Sequence, residues 1–288
     1  MVLSTKNTEL NPVAYSSNGK IITFNEPKVM AIVNITPDSF YDGGKFSTTR
    51  DVVNDVEEKI QAGADIIDIG AASSRPGAVT ISVEEEWHRM EPVLKELRKH
   101  FPSTVISVDT WRAIIASKAI EEGADIINDI GGGTLDRAMF STIAKYNVPY
   151  VLMHIQGQPN TMQEAPQYQN TVAEVKAQLQ HSITELAALN FNKVILDPGF
   201  GFGKNLKHNF ELLKHLSTFS NLGYPVLAGL SRKSMINQVL KTSPVTALNG
   251  TTVLNTLALL NGAKILRVHD VAEAKQAIEL MTYYSSIQ

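Results

Sequence analysis

The 288-residue sequence predicts an α/β protein in which eight buried parallel strands alternate with helices. The first observation is a repeated phrase: GADIIDIG begins at Gly63, GADIINDI at Gly123 and the looser GAKILRVH at Gly262. The second is a series of short runs of Val, Ile and Leu, a pattern typical of strands covered on both faces. Eight such runs over about 250 residues match a (β/α)8 barrel. An open, doubly wound sheet is the alternative.

The predicted strands follow one another along almost the whole chain. They are VMAIVN (29–34), DIIDIG (65–70), TVISVD (104–109), DIIND (125–129), YVLMH (150–154), KVILD (193–197), PVLAGL (225–230) and KILRV (264–268). Before them, VAYSSNGKIITF (13–24) carries Asn-Gly between two strand-like arms, which predicts a β-hairpin. We therefore expect an N-terminal hairpin extension packed on the barrel (1–27) and one catalytic barrel (28–288).

Segments with helical spacing of apolar residues separate the strands. The clearest are residues 83–100, 111–123, 171–190 and 271–284. Ser82 precedes the first of them as a predicted N-cap, with Glu85 three residues later. The glycine that begins each repeated phrase is predicted to end a helix.

The repeated phrase keeps its apolar residues and changes the polar residue five positions after the glycine, which is Asp68, Asn128 or Arg267. These positions fall at the carboxyl ends of strands, which surround the active site in a barrel. Polar residues occur at nearly every predicted strand end: Asn34, Asp68, Asp109, Asn128, Asp129, His154, Asp197, Ser231, Arg232, Lys233, Arg267 and His269. The sequence thus predicts a polar cup on an apolar barrel, although any one of these residues could instead cap a loop or form a salt bridge.

Composition argues against several other classes of protein. The formal charge of -3 and pI near 6.2 give no indication of binding to nucleic acid or to an anionic membrane. Without cysteine the chain has no disulfide, thiolate metal site or cysteine nucleophile. The N-terminal segment lacks the apolar core of a signal peptide and no stretch suits a membrane span, so we expect a cytoplasmic protein.

The side chains of the polar cup suit a flat heterocycle and phosphate. Asp109, Asn128 and Asp197 can pair with adjacent N–H donors and acceptors of a ring. Lys233, Arg75, Arg267 and His269 add positive character.

The glycine-rich segment PGFGFGK (198–204) matches neither common phosphate-binding fingerprint. A P-loop requires glycine in place of Pro198 and Ser or Thr in place of Asn205, and the dinucleotide fingerprint requires glycine in place of Lys204. We interpret the segment as a tight loop that brings Phe202 to a ligand. The spacings typical of zinc proteases, EF-hands and serine hydrolases do not occur.

Several motifs make the chain resemble dihydropteroate synthase. They are NITPDSFYDGG (34–44), SSRPGA (73–78), ISVDT (106–110), INDI (127–130), LMHIQGQPNTMQ (152–163), LDPGFGFGK (196–204), GLSRKSMI (229–236) and RVHDV (267–271). They occur in the family's order. The resemblance implies a (β/α)8 transferase of folate biosynthesis that joins 7,8-dihydropterin-6-ylmethyl diphosphate to 4-aminobenzoate, giving 7,8-dihydropteroate and diphosphate. Enzymes of this kind are targets of sulfonamides, which imitate the aminobenzoate. The family usually forms a homodimer through its late helices; the apolar face of residues 252–262 is compatible with that, although it could also pack on the barrel.

The resemblance implies a role for each matching residue. Catalytic roles fall to Asp109, Lys233, Arg267 and His269. The pterin ring would contact Asp109, Asn128, Met153, Asp197, Lys233 and Arg267. The diphosphate would contact Asn34, Ser74, Arg75, Arg267 and His269, with Asn34 as the protein ligand of Mg2+. The aminobenzoate would contact Ser74, Arg75, Pro76, Phe202, Lys233 and Ser234.

Three further expectations concern loops and helix ends. Ser234 is expected near the start of the helix after strand seven, where it could also serve as a simple N-cap. Asp38 could pair with Arg75 when residues 36–46 and 73–80 close over substrate, or could cap its own loop. Many relatives read GGESTRPG where this chain reads GAASSRPG (70–77), so Ser74 keeps a hydroxyl and Ala72 lacks a carboxylate.

Two other functions remain open on the residues alone. One is a pterin-binding methyltransferase domain of the corrinoid-dependent kind, which would have no use for the SRKS and TPDSF motifs. The other is a catalytically silent pterin-binding paralogue, which the presence of Lys233, Arg267 and His269 disfavours.

Overall fold

The structure, a computed structural model, describes residues 14–35, 48–72, 80–158, 161–163 and 166–287. Two antiparallel strands, β1 (Ala14–Ser17) and β2 (Lys20–Thr23), form the predicted hairpin. Eight parallel strands form a second sheet: β3 (Lys28–Asn34), β4 (Ile66–Gly70), β5 (Val105–Asp109), β6 (Ile126–Asp129), β7 (Tyr150–Met153), β8 (Val194–Asp197), β9 (Leu227–Ala228) and β10 (Ile265–Val268).

The eight strands form a nearly closed barrel. Neighbours follow chain order from β3 to β8, and β10 lies between β3 and β9. A parallel bridge between Leu196 and Val226 joins β8 to the residue before β9, where the N–H of Leu196 donates to the carbonyl of Pro225 at 2.8 Å. The predicted barrel is therefore confirmed and the open sheet is wrong. Only β9 is much shorter than its predicted run.

Helices follow each barrel strand. They are α1 (Thr49–Gln61), α2 (Val83–His100), α3 (Ala113–Glu121), α4 (Met139–Tyr146), α5 (Thr171–Ala188), α6 (Leu206–Lys214), α7 (Ser217–Ser220), α8 (Ser234–Leu240), α9 (Leu248–Leu260) and α10 (Val271–Ser286), with a 3-10 turn at Pro244–Thr246. The Ser82 hydroxyl accepts from the N–H of Glu85 at 3.1 Å, so the predicted N-cap is confirmed. No helix of the described ranges is long and apolar enough to cross a membrane.

The three glycines of the repeated phrase end helices in the same way. Gly63, Gly123 and Gly262 have φ of 100°, 97° and 93°. After α1, the N–H of Gly63 donates to Ile60 and that of Ala64 to Lys59, both at 3.0 Å, and the same pair of bonds follows α3 and α9. This is a Schellman end, which needs a left-handed residue, and glycine adopts that conformation without strain.

Inward-facing side chains of the barrel form layers. The lower layer is apolar: Met30, Ile66, Val105, Ile126, Val151, Ile195, Leu227 and Ile265. Tyr15, Ile22 and Phe24 of the hairpin segment pack against it, and the Tyr15 hydroxyl donates to the carbonyl of Val194 at 2.7 Å. The domain boundary at residue 27 stays a prediction.

Side chains two positions apart on a strand share a face. The next layer towards the carboxyl ends therefore consists of Ile32, Asp68, Ser107, Asn128, Met153, Asp197, Gly229 and Arg267. The interior changes from apolar to polar at this layer, which is the floor of the predicted polar cup.

Candidate active site

The three variable polar residues of the repeated phrases, Asp68, Asn128 and Arg267, meet on this floor. Asp68 is fully buried, and its Oδ2 accepts from Asn128 Nδ2 at 3.0 Å and from Arg267 Nε at 2.7 Å. Arg267 also donates from Nη2 to Asp109 Oδ2 at 2.7 Å. One guanidinium from β10 thus joins carboxylates from β4 and β5, and the variable positions of the phrase form a single network.

Asp197 and Lys233 form the other charged part of the floor. Asp197 ends β8, is 7% exposed, and accepts from the N–H of Gly199 at 2.7 Å. Lys233, just before α8, donates to the carbonyl of Phe200, and its Nζ lies 4.9 Å from the centre of the Phe202 ring. Asp197 and Lys233 therefore both contact the loop that carries Phe202, and their opposite charges interact.

Burial shifts the pKa values of two residues of the cup, Asp109 and Lys233, towards 7. Burial raises the pKa of Asp109 to about 7, although the positive charge of Arg267 opposes the shift. Burial lowers the pKa of Lys233 to about 8, while the charge of Asp197 opposes that shift. Groups with pKa values shifted by burial and by named charge partners are concentrated at catalytic sites, and ion-pair networks such as the one around Arg267 shift pKa values as well.

His269 lies beside this network as a neutral group. Its Nδ1 lies 3.0 Å from the Ser231 hydroxyl, and the backbone N–H of His269 donates to the same oxygen at 3.2 Å. Burial and then the charge of Arg267 lower the pKa of His269 to about 3. This shift favours the neutral imidazole in the protein without ligand, and the expected contribution of His269 to the positive charge around a phosphate stays a prediction.

Two residues of the SRKS motif have different roles: Arg232 stabilises the turn after β9, and Lys233 contributes to the site. Arg232 has a left-handed backbone (φ 56°) and donates to Asp270 from Nε at 2.8 Å and Nη2 at 2.6 Å. The backbone N–H of Arg232 donates to the Thr251 hydroxyl at 3.0 Å. Arg232 thus anchors the turn after β9 to α9 and to the end of β10, and this turn directs Lys233 to Phe200.

Lys204 holds the PGFGFGK segment in place from within. Its buried Nζ contacts His154 Nδ1 and the carbonyls of Gly199 and Phe202, each at 2.9 Å. Burial lowers the pKa of Lys204 well below its usual value and that of His154 to about 2, so the neutral imidazole accepts this bond. A Cβ at Gly199 (φ 73°) would lie 1.9 Å from the carbonyl oxygen of His154, which excludes any other residue there.

An apolar wall borders the floor. Ile130, Met153, Ile155 and Met162 form a small buried cluster, against which Trp111 and Phe202 pack. A flat ring that rests on the charged floor would therefore find an apolar side wall at Met153.

Two further predicted site residues, Asn34 and Ser234, lie at the ends of secondary-structure elements. Asn34 is the last residue of β3 and pairs with Gly70 of β4. Ser234 is exposed and is the first residue of α8, whereas Lys233 occupies the N-cap position. The alternative that Ser234 is a simple N-cap is therefore wrong. Asp38, Ser74, Arg75 and Pro76 lie outside the described residues.

Sequence reasoning did not assign the structural work of Asp68, Asp129 and Lys204. Asp129 accepts from the N–H groups of Gly131 at 2.6 Å and Gly133 at 2.8 Å and from the Tyr150 hydroxyl at 2.6 Å. It therefore shapes its own glycine loop. The signal for Asp68 was present in the repeated phrase, because the residue takes the same position as Asn128 and Arg267.

Fold and site together define a (β/α)8 barrel enzyme whose carboxyl-end cup binds a flat heterocycle beside cationic groups. Residues 30–269 match the family model described as pterin binding enzyme. Dihydropteroate synthase of Escherichia coli strain K12 is 43% identical over 271 residues, covering 92% of this chain and 94% of that protein.

Two solved structures share this fold over almost the whole chain. Dihydropteroate synthase of Yersinia pestis, in a complex with a sulfonamide drug, has a TM-score of 0.91 and 39% identity, covering 96% of this chain and 100% of that one. The Xanthomonas albilineans enzyme with 4-aminobenzoic acid has a TM-score of 0.89 and 38% identity, with the same coverage. The chain belongs to the dihydropteroate synthase family, whose members are transferases of folate biosynthesis.

Proposed function

We propose that the polar cup condenses 7,8-dihydropterin-6-ylmethyl diphosphate with 4-aminobenzoate, and that the residues matching the family's motifs carry the reaction. The observation that supports these assignments most is the convergence of Asp68, Asn128, Asp109 and Arg267 in one network on the barrel floor. That network places two carboxylates, an amide and a guanidinium within the reach of one small ring.

Ring recognition is the task of Asn128, Asp197 and Lys233. The Asp197 carboxylate can only accept hydrogen bonds and suits the N–H donors of a pterin edge. Asn128 offers an amide, and Lys233 offers a donor to a ring oxygen or nitrogen. Met153 packs against the ring, and Arg267 stacks on its face.

The reaction is an SN1-like substitution at the methylene group. The bond between this carbon and the diphosphate oxygen breaks first, and the electron pair leaves with diphosphate. The resulting cation is spread over the electron-rich dihydropterin, and the Asp109 carboxylate stabilises it electrostatically. The amine nitrogen of aminobenzoate then forms the new C–N bond and loses a proton. Loops that exclude water protect the cation from hydrolysis.

Diphosphate is held by Arg267 and His269 together with Ser74, Arg75 and Asn34. Mg2+ prefers oxygen ligands and usually keeps several waters, so it needs few protein donors beside a diphosphate. Asn34 supplies one amide oxygen, and the described residues contain no cluster of three acidic or histidine side chains that could hold a metal without substrate. The donor set therefore fits Mg2+ bound together with diphosphate: Asn34 would hold the ion, and the ion would supply positive charge beside the leaving group.

Aminobenzoate is held nearer the rim. Phe202 lies against the Lys233 ammonium and offers an aromatic face, and Ser234 offers a hydroxyl to the carboxylate. Ser74, Arg75 and Pro76 complete this part of the site. The Xanthomonas albilineans structure, which holds 4-aminobenzoic acid, supports the choice of this second substrate.

A homodimer and a cytoplasmic location accompany this proposal. α9 and α10 pack side by side and expose large apolar side chains, which are Val253, Leu257, Leu260, Leu280, Tyr283 and Tyr284. Apolar residues gathered on two neighbouring helices suit a subunit interface. The cytoplasmic location stays a prediction from the sequence.

Diphosphate release tests the function directly. The purified protein should release diphosphate and form dihydropteroate only when both the pterin diphosphate and 4-aminobenzoate are present. Methyl transfer to a corrinoid would support the methyltransferase alternative. Tight pterin binding without any turnover would support the silent paralogue.

A further inference from the structure

Asp68 has no role in the reaction described above, yet it lies at the centre of the network. Its Oδ2 holds Asn128 of β6 and Arg267 of β10, residues that are 60 and 199 positions away along the chain. Its Oδ1 is buried and has no hydrogen-bond partner among the described residues. Burying a carboxylate with one unpaired oxygen costs stability, whatever the function of the residue.

The contact with Asp68 fixes which way the Asn128 amide points. A carboxylate only accepts hydrogen bonds, so only the NH2 end of the amide can face Asp68 Oδ2 at 3.0 Å. The opposite orientation would bring two oxygen atoms together. The carbonyl oxygen of Asn128 is therefore directed away from Asp68 and is left as an acceptor.

The same oxygen sets the position of Arg267. Nε donates to Asp68 and Nη2 donates to Asp109, so two nitrogens of the guanidinium are held by carboxylates from neighbouring strands. Loss of the first contact would leave Arg267 held through Asp109 alone.

We propose that Asp68 is a positioning residue for pterin recognition: it holds the NH2 end of Asn128 so that the carbonyl oxygen can accept an N–H of the ring. It also keeps the guanidinium of Arg267 on the floor. The inference rests on the proposed function, because it needs a pterin as the ring. Asp68 acts through Asn128 and Arg267, so its removal should affect pterin binding and leave the aminobenzoate side of the site nearly unchanged.

The test is calorimetric binding of pterin diphosphate to Asp68→Ala and Asp68→Asn, each also combined with Asn128→Ala. We expect Asp68→Ala to weaken binding by about thirtyfold or more, since two donors lose their acceptor. Asp68→Asn keeps one acceptor oxygen and should restore part of the affinity. Because Asp68 acts partly through Asn128, its removal should have an effect smaller by about fivefold in the Asn128→Ala background.

Asp65→Asn is the matched control. Asp65 lies three residues before Asp68, just before β4 at the opposite end of the barrel, and its carboxylate accepts from the N–H of Val29 at 2.9 Å. Its substitution should change neither pterin affinity nor the KM for aminobenzoate, and Asp68→Asn should leave that KM within about twofold. If Asp68→Ala does not fold, the same test is made with Asp68→Asn. Its pterin affinity is then compared in the presence and absence of the Asn128 side chain.

The outcomes separate this inference from the proposed function. A wild-type protein that does not bind pterin diphosphate overturns both. A wild type that binds, with folded Asp68 variants within about threefold of its affinity, overturns this inference alone. Equal losses in the presence and absence of the Asn128 side chain also overturn it, because Asp68 would then not act through Asn128.

Discussion

At the scale of single residues, four aspartates at or near strand ends have four different environments. Asp68 joins side chains of other strands, Asp129 shapes its own loop, and Asp109 faces Arg267. Asp197 accepts one backbone N–H and lies near Lys233. Sequence shows that each of them follows an apolar run. The family resemblance implied roles for Asp109 and Asp197. The contacts of Asp68 and Asp129 depend on how strands and loops meet in the fold, so the sequence did not assign them.

The pH dependence of pterin turnover follows from two of these environments. Asp109 acts as an anion, so kcat/KM should rise as pH increases through its pKa of about 7. Lys233 acts as a cation, so kcat/KM should fall above its pKa of about 8. A pH–rate profile should therefore be a narrow bell. The charges that face Asp109 are Arg267, Asp68, Glu86 and Asp129, and those that face Lys233 are Asp197, Arg267 and Asp109.

Asp109→Asn separates the rising limb from titration of the substrate's phosphates. The variant should be slower, and its residual activity should no longer rise between about pH 6 and 7. A rising limb that is unchanged in this variant would contradict the assignment of that limb to Asp109.

At the scale of elements, the clearest signals were backbone signals. The three glycines predicted helix ends because only a left-handed residue allows the pair of bonds seen after α1, α3 and α9. The PGFGFGK segment gave a weaker signal. Its glycines indicated a tight loop, but nothing in the sequence showed that Lys204 is buried and holds that loop through His154, Gly199 and Phe202.

Lys204→Met should loosen this loop. The carbonyls of His154, Gly199 and Phe202 and an imidazole nitrogen would lose their donor. Leaving buried acceptors unpaired costs about 1–3 kcal/mol. We expect the midpoint of thermal unfolding to fall by several degrees and the KM for aminobenzoate to rise, because the loop carries Phe202. Lys207→Met is the control, since the Lys207 side chain is 82% exposed on α6. If Lys204→Met leaves both quantities at wild-type values, Lys204 is not the anchor of the loop.

At the scale of the whole molecule, the sequence predicted the series of strands. It predicted only in part which side chains from different strands contact one another. Eight apolar runs separated by helices favour a barrel over an open sheet, and a barrel brings the carboxyl ends of all its strands to one face. The rule does not say which side chains touch. Arg267 reaches Asp68 and Asp109 across 199 and 158 residues of chain, and that contact depends on closure and register of the sheet.

Magnesium should be needed for activity and not for folding. EDTA in excess should abolish diphosphate release, while the unfolding temperature of the free protein stays the same, because a sparse ligand set cannot stabilise the fold. Asn34→Ala should raise the magnesium concentration needed for half-maximal rate. Full turnover in excess EDTA would remove the metal from the mechanism.

The proposed dimer predicts a concentration-dependent mass in sedimentation. Leu280 is 72% exposed on α10, and Leu280→Arg should shift the protein to monomer, because an arginine would be buried without a partner in the interface. Leu189→Arg, at the end of α5, should have no such effect. A wild type that is monomeric at high concentration would contradict the dimer.

The pterin clamp is the centre of the account, and Asp197→Asn tests it most directly. The asparagine keeps an oxygen for the N–H of Gly199 but presents an amide donor to the ring's own donors. Calorimetry should show pterin diphosphate binding weakened by about ten- to hundredfold, or about 1–3 kcal/mol. Asp65→Asn, at the opposite end of the barrel, should bind like the wild type. Unchanged affinity in a folded Asp197→Asn protein would contradict the clamp.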